Sequence, residues 1–319
     1  MAVVETGARL HFGFQNLSLA NDRLYGGVGV ALAEPQITVT AEPAATLSCE
    51  PAIRSYCEAV IETLEVSGAD ISVELFPRHV GLGSGTQLSL ACLCAVASAY
   101  DIDCRPRERA PAVGRGGRSG VGVATFERGG FVIDAGHPTE RFTTEPPAPG
   151  DWKVPEPLGC WSLPDAWRFV IVIPETEAGP SGETEDEQMR AVVERANPSI
   201  ADEIATVLTR RLLPAVVEDD LTAFGQAVAR LGRLNGAWYA DEQGGVYRPP
   251  AGPIIESLSA SRAITGAGQS SWGPTVYGVT AKDMQGQAET AGKQALADAG
   301  VDGSVQIVRP GKTGATIVE

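Results

Sequence analysis

The sequence predicts an α+β fold of two layers, and three observations predict it. Residues 2–47 alternate apolar and polar positions, the mark of strands with one buried face. The run Trp167-Arg168-Phe169-Val170-Ile171-Val172-Ile173-Pro174 has the length and composition of a strand buried on both faces. Helical and extended patterns then intermix to the end of the chain without a repeating βαβ unit.

Taken in order, residues 2–47 predict several strands, with turns at Gly26-Gly27 and Glu34-Pro35. A helix is expected over Ile53–Val66, then a strand at Ile71–Leu75. The segment from Pro77 through His79 to Thr86 is a glycine-rich turn, and Leu88–Ala97 is an apolar run that predicts a buried helix. Two strands are expected near Val121–Glu127 and Gly130–Ala135. Residues 143–165 are rich in Pro and Gly and read as a connecting excursion, which divides the chain into domains at 1–165 and 166–319. Thr176–Glu187 reads as an acidic loop. Helices are expected near Glu187–Ala196, Ile200–Val217 and Asp220–Asn235, and again over Ile254–Ala263. A second glycine loop occupies 266–279, with a strand at Thr275–Thr280. A helix over Met284–Ala299 and strands around Val305–Val308 and Thr313–Val318 close the chain.

Composition narrows the function. A net charge of −15, 40 acidic residues and four lysines (Lys153, Lys282, Lys293 and Lys312) describe a surface suited to a salt-rich cytoplasm. The expected habitat is that of a halophile. No basic stripe points to nucleic acid. No signal peptide opens the chain, and no apolar run approaches the roughly 20 residues a membrane helix needs. Six cysteines show neither Cys-x-x-Cys nor zinc-like spacing, so Cys92 and Cys94 read as small buried residues of a reduced cytoplasmic protein.

The chemistry-bearing feature is Gly81-Leu82-Gly83-Ser84-Gly85-Thr86. A glycine turn ahead of a helix leaves backbone N–H groups and the positive end of the helix dipole facing one point, where phosphate binds. It is no Walker loop, because no Gly-Lys-Ser/Thr closes it, and it matches the dinucleotide fingerprint poorly. The second loop, with Gly266, Gly268, Gln269, Ser270 and Ser271, suggests one cleft between two halves. Ser270 and Ser271 either contact substrate or make the turn, and Trp272 reads as packing. Arg105, Arg107, Arg109, Arg115 and Arg118 form a local basic cluster; the last two lie inside a glycine motif. Of three histidines, His79 caps or packs, His137 orients a phosphate or ends a strand, and His11 reads as a substrate contact.

These blocks resemble the GHMP kinase superfamily, whose hallmark is a Pro-x-x-x-Gly-Leu-Gly-Ser loop paired with a late glycine motif. Three stretches resemble a non-kinase branch, the β-ribofuranosylaminobenzene 5′-phosphate synthases. They are Ala8–Phe12 with Asp22–Leu32, the glycine loop, and Gly114–Phe126 running into Gly129–His137. The resemblance implies an S5-like N-terminal domain joined to a ferredoxin-like C-terminal domain, with the active cleft between them. It further implies phosphoribosyl transfer from phosphoribosyl pyrophosphate to 4-hydroxybenzoate or 4-aminobenzoate, releasing CO₂ and pyrophosphate, as in methanopterin-type cofactor biosynthesis. Mg²⁺ is the implied cofactor, with no metal ligands assigned, and a homodimer is the implied assembly.

On that reading the loop amides, with Arg115, Arg118 and Ser119, bind the donor's phosphates. Arg23, Asn16 and His11 are the catalytic candidates, and Gly26 and Gly27 join Gly266, Gly268, Gln269, Ser270 and Ser271 as substrate-binding candidates. Two departures stand out. Kinases of the superfamily commonly carry Ser-Gly-x-Asp where this chain has Ser119-Gly120-Val121-Gly122, so the acid's place is held by glycine. Members of the branch carry an Asp where this chain has Asn16, and a Gly where it has Asp22. A small-molecule kinase using ATP and a non-catalytic ligand-binding homologue are the alternatives.

Overall fold

The computed structural model describes the chain except residues 75, 77–79, 143–147, 149, 178, 180–182 and 319. His79 therefore lies outside the described residues.

Two long strands replace the several expected at the N-terminus: β1 (Ala2–Asn16) and β2 (Arg23–Pro43), paired antiparallel from Ala2–Ala41 to Asn16–Tyr25. Neither expected turn breaks β2, for a physical reason in each case. Gly27 lies within the ladder as a point of close approach, since a Cβ there would stand 2.1 Å from Ser119 Oγ. Pro35 falls in the gap where pairing with β1 skips from Ala31 to Gln36, so its missing N–H costs no ladder bond.

After helix α1 (Arg54–Leu64), strand β3 (Ala69–Glu74) pairs with β2. Helix α2 (Ser84–Ala99) is buried along almost its whole length, as an all-round apolar helix must be. Cys94 is not a plain buried thiol: it is disulfide-bonded to Cys104 across a Cα separation of 5.2 Å, while Cys92 is free and buried. A single turn, α3 (Pro106–Arg109), precedes α4 (Val121–Arg128). The structure corrects the strand expected over Val121–Glu127 to this helix; Gly-Val-Gly-Val mimics two-residue alternation, but Val121 to Phe126 are buried without alternation, on every side of an enclosed helix. Strands β4 (Phe131–Asp134), β5 (His137–Pro138) and β6 (Pro157–Trp161) follow, the last within the expected excursion. The first sheet runs β6-β4-β2-β1 and then the closing strand β11 (Thr316–Val318), with β3 and β5 also on β2.

The buried strand is where the sequence put it, β7 (Trp167–Pro174). Helices α5 (Glu183–Arg195), α6 (Pro198–Val207), α7 (Leu213–Val217), α8 (Leu221–Gln243) and α9 (Ala251–Ala260) come next. The second glycine segment corrects from loop to strand at its start, β8 (Gly266–Gln269); its glycines are packing positions, for a Cβ on Gly268 would lie 2.6 Å from Tyr277 Oη. Strand β9 (Val276–Ala281), helix α10 (Gln285–Ala299) and strand β10 (Gly303–Val308) complete a second sheet in the order β10-β7-β9-β8. Phe12 of β1 joins the layers, its ring centroid 5.0 Å from Tyr277, 6.1 Å from Phe224 and 6.4 Å from both Phe131 and Phe169. Among the described residues no helix is long and apolar enough to cross a membrane.

Candidate active site

Sequence alternation on β1 builds the site's floor. Ala8, Leu10 and Phe12 turn into the core, so Arg9 and His11 share the opposite face and line a cavity of about 1140 Å³. That exceeds the roughly 300–1,000 Å³ of most small-molecule pockets, leaving room for two substrates.

The glycine loop forms one wall. Gly83, with φ +77°, stands at the N-cap of α2 and supplies no side chain to close the helix end. The loop's carbonyls are taken: Val80 O accepts from Thr275 N, Leu82 O from Arg9 N, and Gly81 O from both Arg9 Nη1 (3.1 Å) and Ser270 Oγ (2.7 Å). Gly81, Gly83, Ser84, Gly85 and Thr86 face the cavity, whereas Leu82 is buried. The two glycine segments are thus tied together. Ser270 Oγ also accepts from His11 N at 3.1 Å, and Ser271 N donates to His11 O.

Two guanidinium groups stand at this helix end. Arg9 lies so close that a Cβ on Gly83 would sit 2.7 Å from its Cγ, and one on Gly85 would sit 3.5 Å from Arg115 Nη1. Burial pushes Arg9 down to about 10 against the pull of Glu185, and burial likewise lowers Arg115. Arg115 Nε donates to Ser89 Oγ at 3.0 Å, and its Cζ stands 5.2 Å over the Tyr56 ring. Burying two cations at the positive end of a helix is unfavourable until an anion arrives between them. Arg118 is held differently. Its Nη2 meets Glu185 at 3.0 Å and its Nη1 has Asp186 at 3.6 Å, which leaves Nη1 buried without a hydrogen bond. Burial pulls this guanidinium down, but Glu185 and Asp186 hold it above its ordinary value.

A second cluster lies under the loop before α4. The Asp134 carboxylate, fully buried, accepts from Gly120 N (2.7 Å), Gly136 N (2.8 Å) and Ser119 Oγ (3.1 Å). Burial raises it to about 6 against those donors. Ser119 Oγ stands 3.3 Å from His11 Nε2. Burial, then Arg9 and Arg118, push His11 well below the usual imidazole range; His137, bonded to Gly116 O, is lowered to about 4 by burial and Arg141. The remaining wall is aromatic, with Phe14, Tyr25, Phe142, Tyr239 and Trp272 facing the cavity.

The sequence candidates divide. His11, Arg115, Arg118, Ser119, Gln269 and Ser271 line the cavity with the loop. Ser270 is buried behind it as the bridge just described. Asn16 is turned inward, bonded to Ser18 O and Arg23 O at 2.7 Å each, and Arg23 grips Ala135 O and Gly136 O at 2.6 and 2.7 Å; neither lines the cavity. Gly26, Gly27, Gly266 and Gly268 are close-packing positions behind it. Of the basic cluster, Arg105 pairs with Asp103 and Arg107 with Glu127, away from the cavity. Sequence reasoning passed over Arg9, Asp134 and Asn235. Arg9 was legible as the residue two before His11 on one strand face. Asn235 clamps the bulge at Gly13, with Oδ1 accepting from Phe14 N and Nδ2 donating to Phe14 O, and nothing in the sequence marks it.

Comparison with known proteins gives the class first. Residues 52–130 match the GHMP kinases N terminal domain family. The fold aligns with mevalonate diphosphate decarboxylase from Staphylococcus aureus at a TM-score of 0.68, 14% identity and 100% and 99% coverage of the two chains. Lactococcus lactis galactokinase aligns at 0.67, with 13% identity and 98% and 94% coverage. The protein is a GHMP-type α+β fold with an interlayer cavity. A protein of Methanothermobacter thermautotrophicus named β-ribofuranosylphenol 5′-phosphate synthase is 33% identical over 87% of this chain and 88% of its own. One of that name from Archaeoglobus fulgidus is 32% identical over 90% of each. The chain belongs to the β-ribofuranosylphenol 5′-phosphate synthase family, a family of transferase enzymes.

Proposed function

We propose that the protein transfers a 5-phosphoribosyl group from phosphoribosyl pyrophosphate to the ring carbon of 4-hydroxybenzoate or 4-aminobenzoate, releasing CO₂ and pyrophosphate. The observation that carries this reading is the pair of buried guanidiniums, Arg9 and Arg115, at the uncapped N-terminus of α2. They suit an anion of more than one negative charge. The aromatic wall supplies apolar faces for the flat acceptor, and the cavity volume accommodates both partners.

In this arrangement the loop amides with Arg9 and Arg115 stabilise the departing pyrophosphate, and Arg118 exchanges its carboxylate partners for the second phosphate. The scaffold's contribution is orientation and electrostatic stabilisation. The kinase alternative is disfavoured locally: a Cβ on Gly122 would lie 2.9 Å from Thr86 Cγ2, so the position usual for the acid has no room for one.

Mg²⁺ fits as an ion shared with the donor. Among the described residues there is no cluster of three or more metal-ligating side chains. Glu185 and Asp186 do reach the cavity, and Mg²⁺ is commonly held by one or two carboxylates plus substrate phosphates. When bound there it would neutralise charge on the leaving pyrophosphate. A salt-rich cytoplasm is the setting the acidic composition favours.

Incubation with phosphoribosyl pyrophosphate, Mg²⁺ and each benzoate at molar KCl should yield CO₂, pyrophosphate and a riboside 5′-phosphate by mass spectrometry. Steady ADP formation from ATP, with no riboside, would sink the proposal.

A further inference from the structure

Asp134, Ser119 and His11 form a hydrogen-bonded line to which the proposed function assigns no step. We infer that His11 accepts the proton from the hydroxyl or amino group para to the acceptor's carboxylate, and that Ser119 and Asp134 hold it in the tautomer able to do so. The inference rests on the phosphoribosyl-transfer reading and names a residue for its proton step.

The geometry fixes the direction of each hydrogen. An ionised carboxylate only accepts, and Asp134 sits among the amides of Gly27, Gly120 and Gly136 with the Ser119 hydroxyl as a further donor. The Ser119 hydrogen is therefore spent on Asp134 Oδ2. Its oxygen accepts from Val121 N at 3.2 Å and, at 3.3 Å, faces His11 Nε2. With no hydrogen left to give, Ser119 Oγ accepts there as well, so Nε2 carries the imidazole proton. Nδ1 is left with a lone pair and, among the described residues, has no hydrogen-bond partner. The ring lines the cavity and packs edge-on against Phe14, with centroids 4.8 Å apart. Burial first, then Arg9 from β1 and Arg118 from the turn before α4, keep the ring neutral, so the Nδ1 lone pair is unprotonated at neutral pH.

The step balances. The ring carbon bearing the carboxylate attacks C1 of the ribose, and pyrophosphate leaves with the C1–O electron pair. The para O–H or N–H proton passes to Nδ1, so the ring becomes a neutral dienone or its imine rather than a cation. The C–CO₂ bond then breaks, its electron pair restores the aromatic ring, and the para oxygen or nitrogen retrieves the proton from His11. No oxidant or further reactant is needed.

The test is nitrogen NMR of the full chain labelled with ¹⁵N-histidine; the sequence has three histidines, and His11→Gln assigns the signal. Expected is a neutral His11 protonated on Nε2 at neutral pH, becoming a tautomer mixture in Ser119→Ala and in Asp134→Asn. In turnover with 4-hydroxybenzoate, His11→Gln should lower kcat by about 10²–10⁴-fold, the usual worth of a general base, with KM for phosphoribosyl pyrophosphate within about twofold. Ser119→Ala should lower kcat by roughly tenfold with the same KM. A wild-type His11 protonated on Nδ1 overturns the assignment even if Ser119→Ala and Asp134→Asn fail to fold. So does a His11→Gln enzyme within threefold of wild-type kcat. An unchanged tautomer in Ser119→Ala removes the positioning role. Absence of riboside from wild-type enzyme overturns the transferase reading and the base role with it, while the tautomer measurement still decides the hydrogen-bond line.

Discussion

Ser270→Ala is the sharpest test of how the cavity is held open. The Ser270 hydroxyl is fully buried, donates to Gly81 O at 2.7 Å and accepts from His11 N at 3.1 Å. Removing it affects its partners unequally. Gly81 O keeps Arg9 Nη1 at 3.1 Å, so that bond costs its net worth, about 0.5–1.5 kcal/mol. His11 N–H lies inside β1 and loses its acceptor, and a buried donor left unmade costs about 1–3 kcal/mol. The expected loss is about 1.5–4.5 kcal/mol, read as a lower urea midpoint at unchanged m-value. The same change frees Gly81, so pyrophosphate affinity by calorimetry should fall as well. Ser271→Ala is the control: its tie to β1 runs through its backbone N, so it should stay within about 0.5 kcal/mol of wild type. A Ser270→Ala protein as stable as that control would refute the claim that the hydroxyl locks the two glycine segments together.

Gly83→Val should cost at least about 1–2 kcal/mol, because φ is +77°, and should displace Arg9, lowering pyrophosphate affinity by at least tenfold in calorimetry. Unaltered binding would mean the anion site lies elsewhere. Glu185→Gln removes a carboxylate 3.0 Å from Arg118, and Mg²⁺-free pyrophosphate should then bind about three- to tenfold tighter; weaker binding would show that the carboxylate orients Arg118 instead of competing with its ligand. His137 is lowered to about 4 in the folded protein, so below its ordinary value near 6.5 the unfolded chain takes up a proton that the folded one refuses. Stability contributed by the neutral ring should therefore be present above pH 6.5 and lost as pH falls toward 4, and His137→Gln should flatten the urea midpoint across that window. Cys104→Ser opens the short disulfide loop to Cys94 and should cost on the order of 2–3 kcal/mol by chain entropy, checked against reductant-treated wild type.

The fold was most legible where one physical signal acted alone. The apolar run at β7 and the strand–loop–helix unit ending in α2 lie where hydrophobic pattern and glycine placed them. Misreadings fell on glycines serving a partner instead of a turn. Gly27 lets Ser119 approach β2, and Gly268 makes room for the Tyr277 hydroxyl. In each case the neighbour that demands a missing Cβ sits on another element, distant in sequence for Gly27 and on the adjacent strand for Gly268, so local pattern mistakes an intruded strand for a loop. The α4 segment failed for the complementary reason. Gly-Val repeated twice satisfies a two-residue period, and the enclosure that makes every position apolar is a tertiary fact.

The same contrast explains which site residues the sequence revealed. The loop's place on the cavity was legible because a glycine turn at a helix end is a local device, written in consecutive residues. The charges that make the site specific are not local. Arg9 reaches α2 from β1, Glu185 reaches Arg118 from α5, and Asp134 at the end of β4 meets Ser119 in the turn before α4. Arg23 shows the reverse, since an arginine in a glycine-rich block reads as a catalytic candidate until its guanidinium is found bonded to Ala135 O and Gly136 O. A guanidinium with its donors satisfied by carbonyls has little left for a ligand, whereas Arg9 and Arg115 are buried beside an uncapped helix end and gain most when an anion binds. On the proposed reading, charge that the fold has not neutralised, rather than charge in a suggestive motif, is where the donor's phosphates bind.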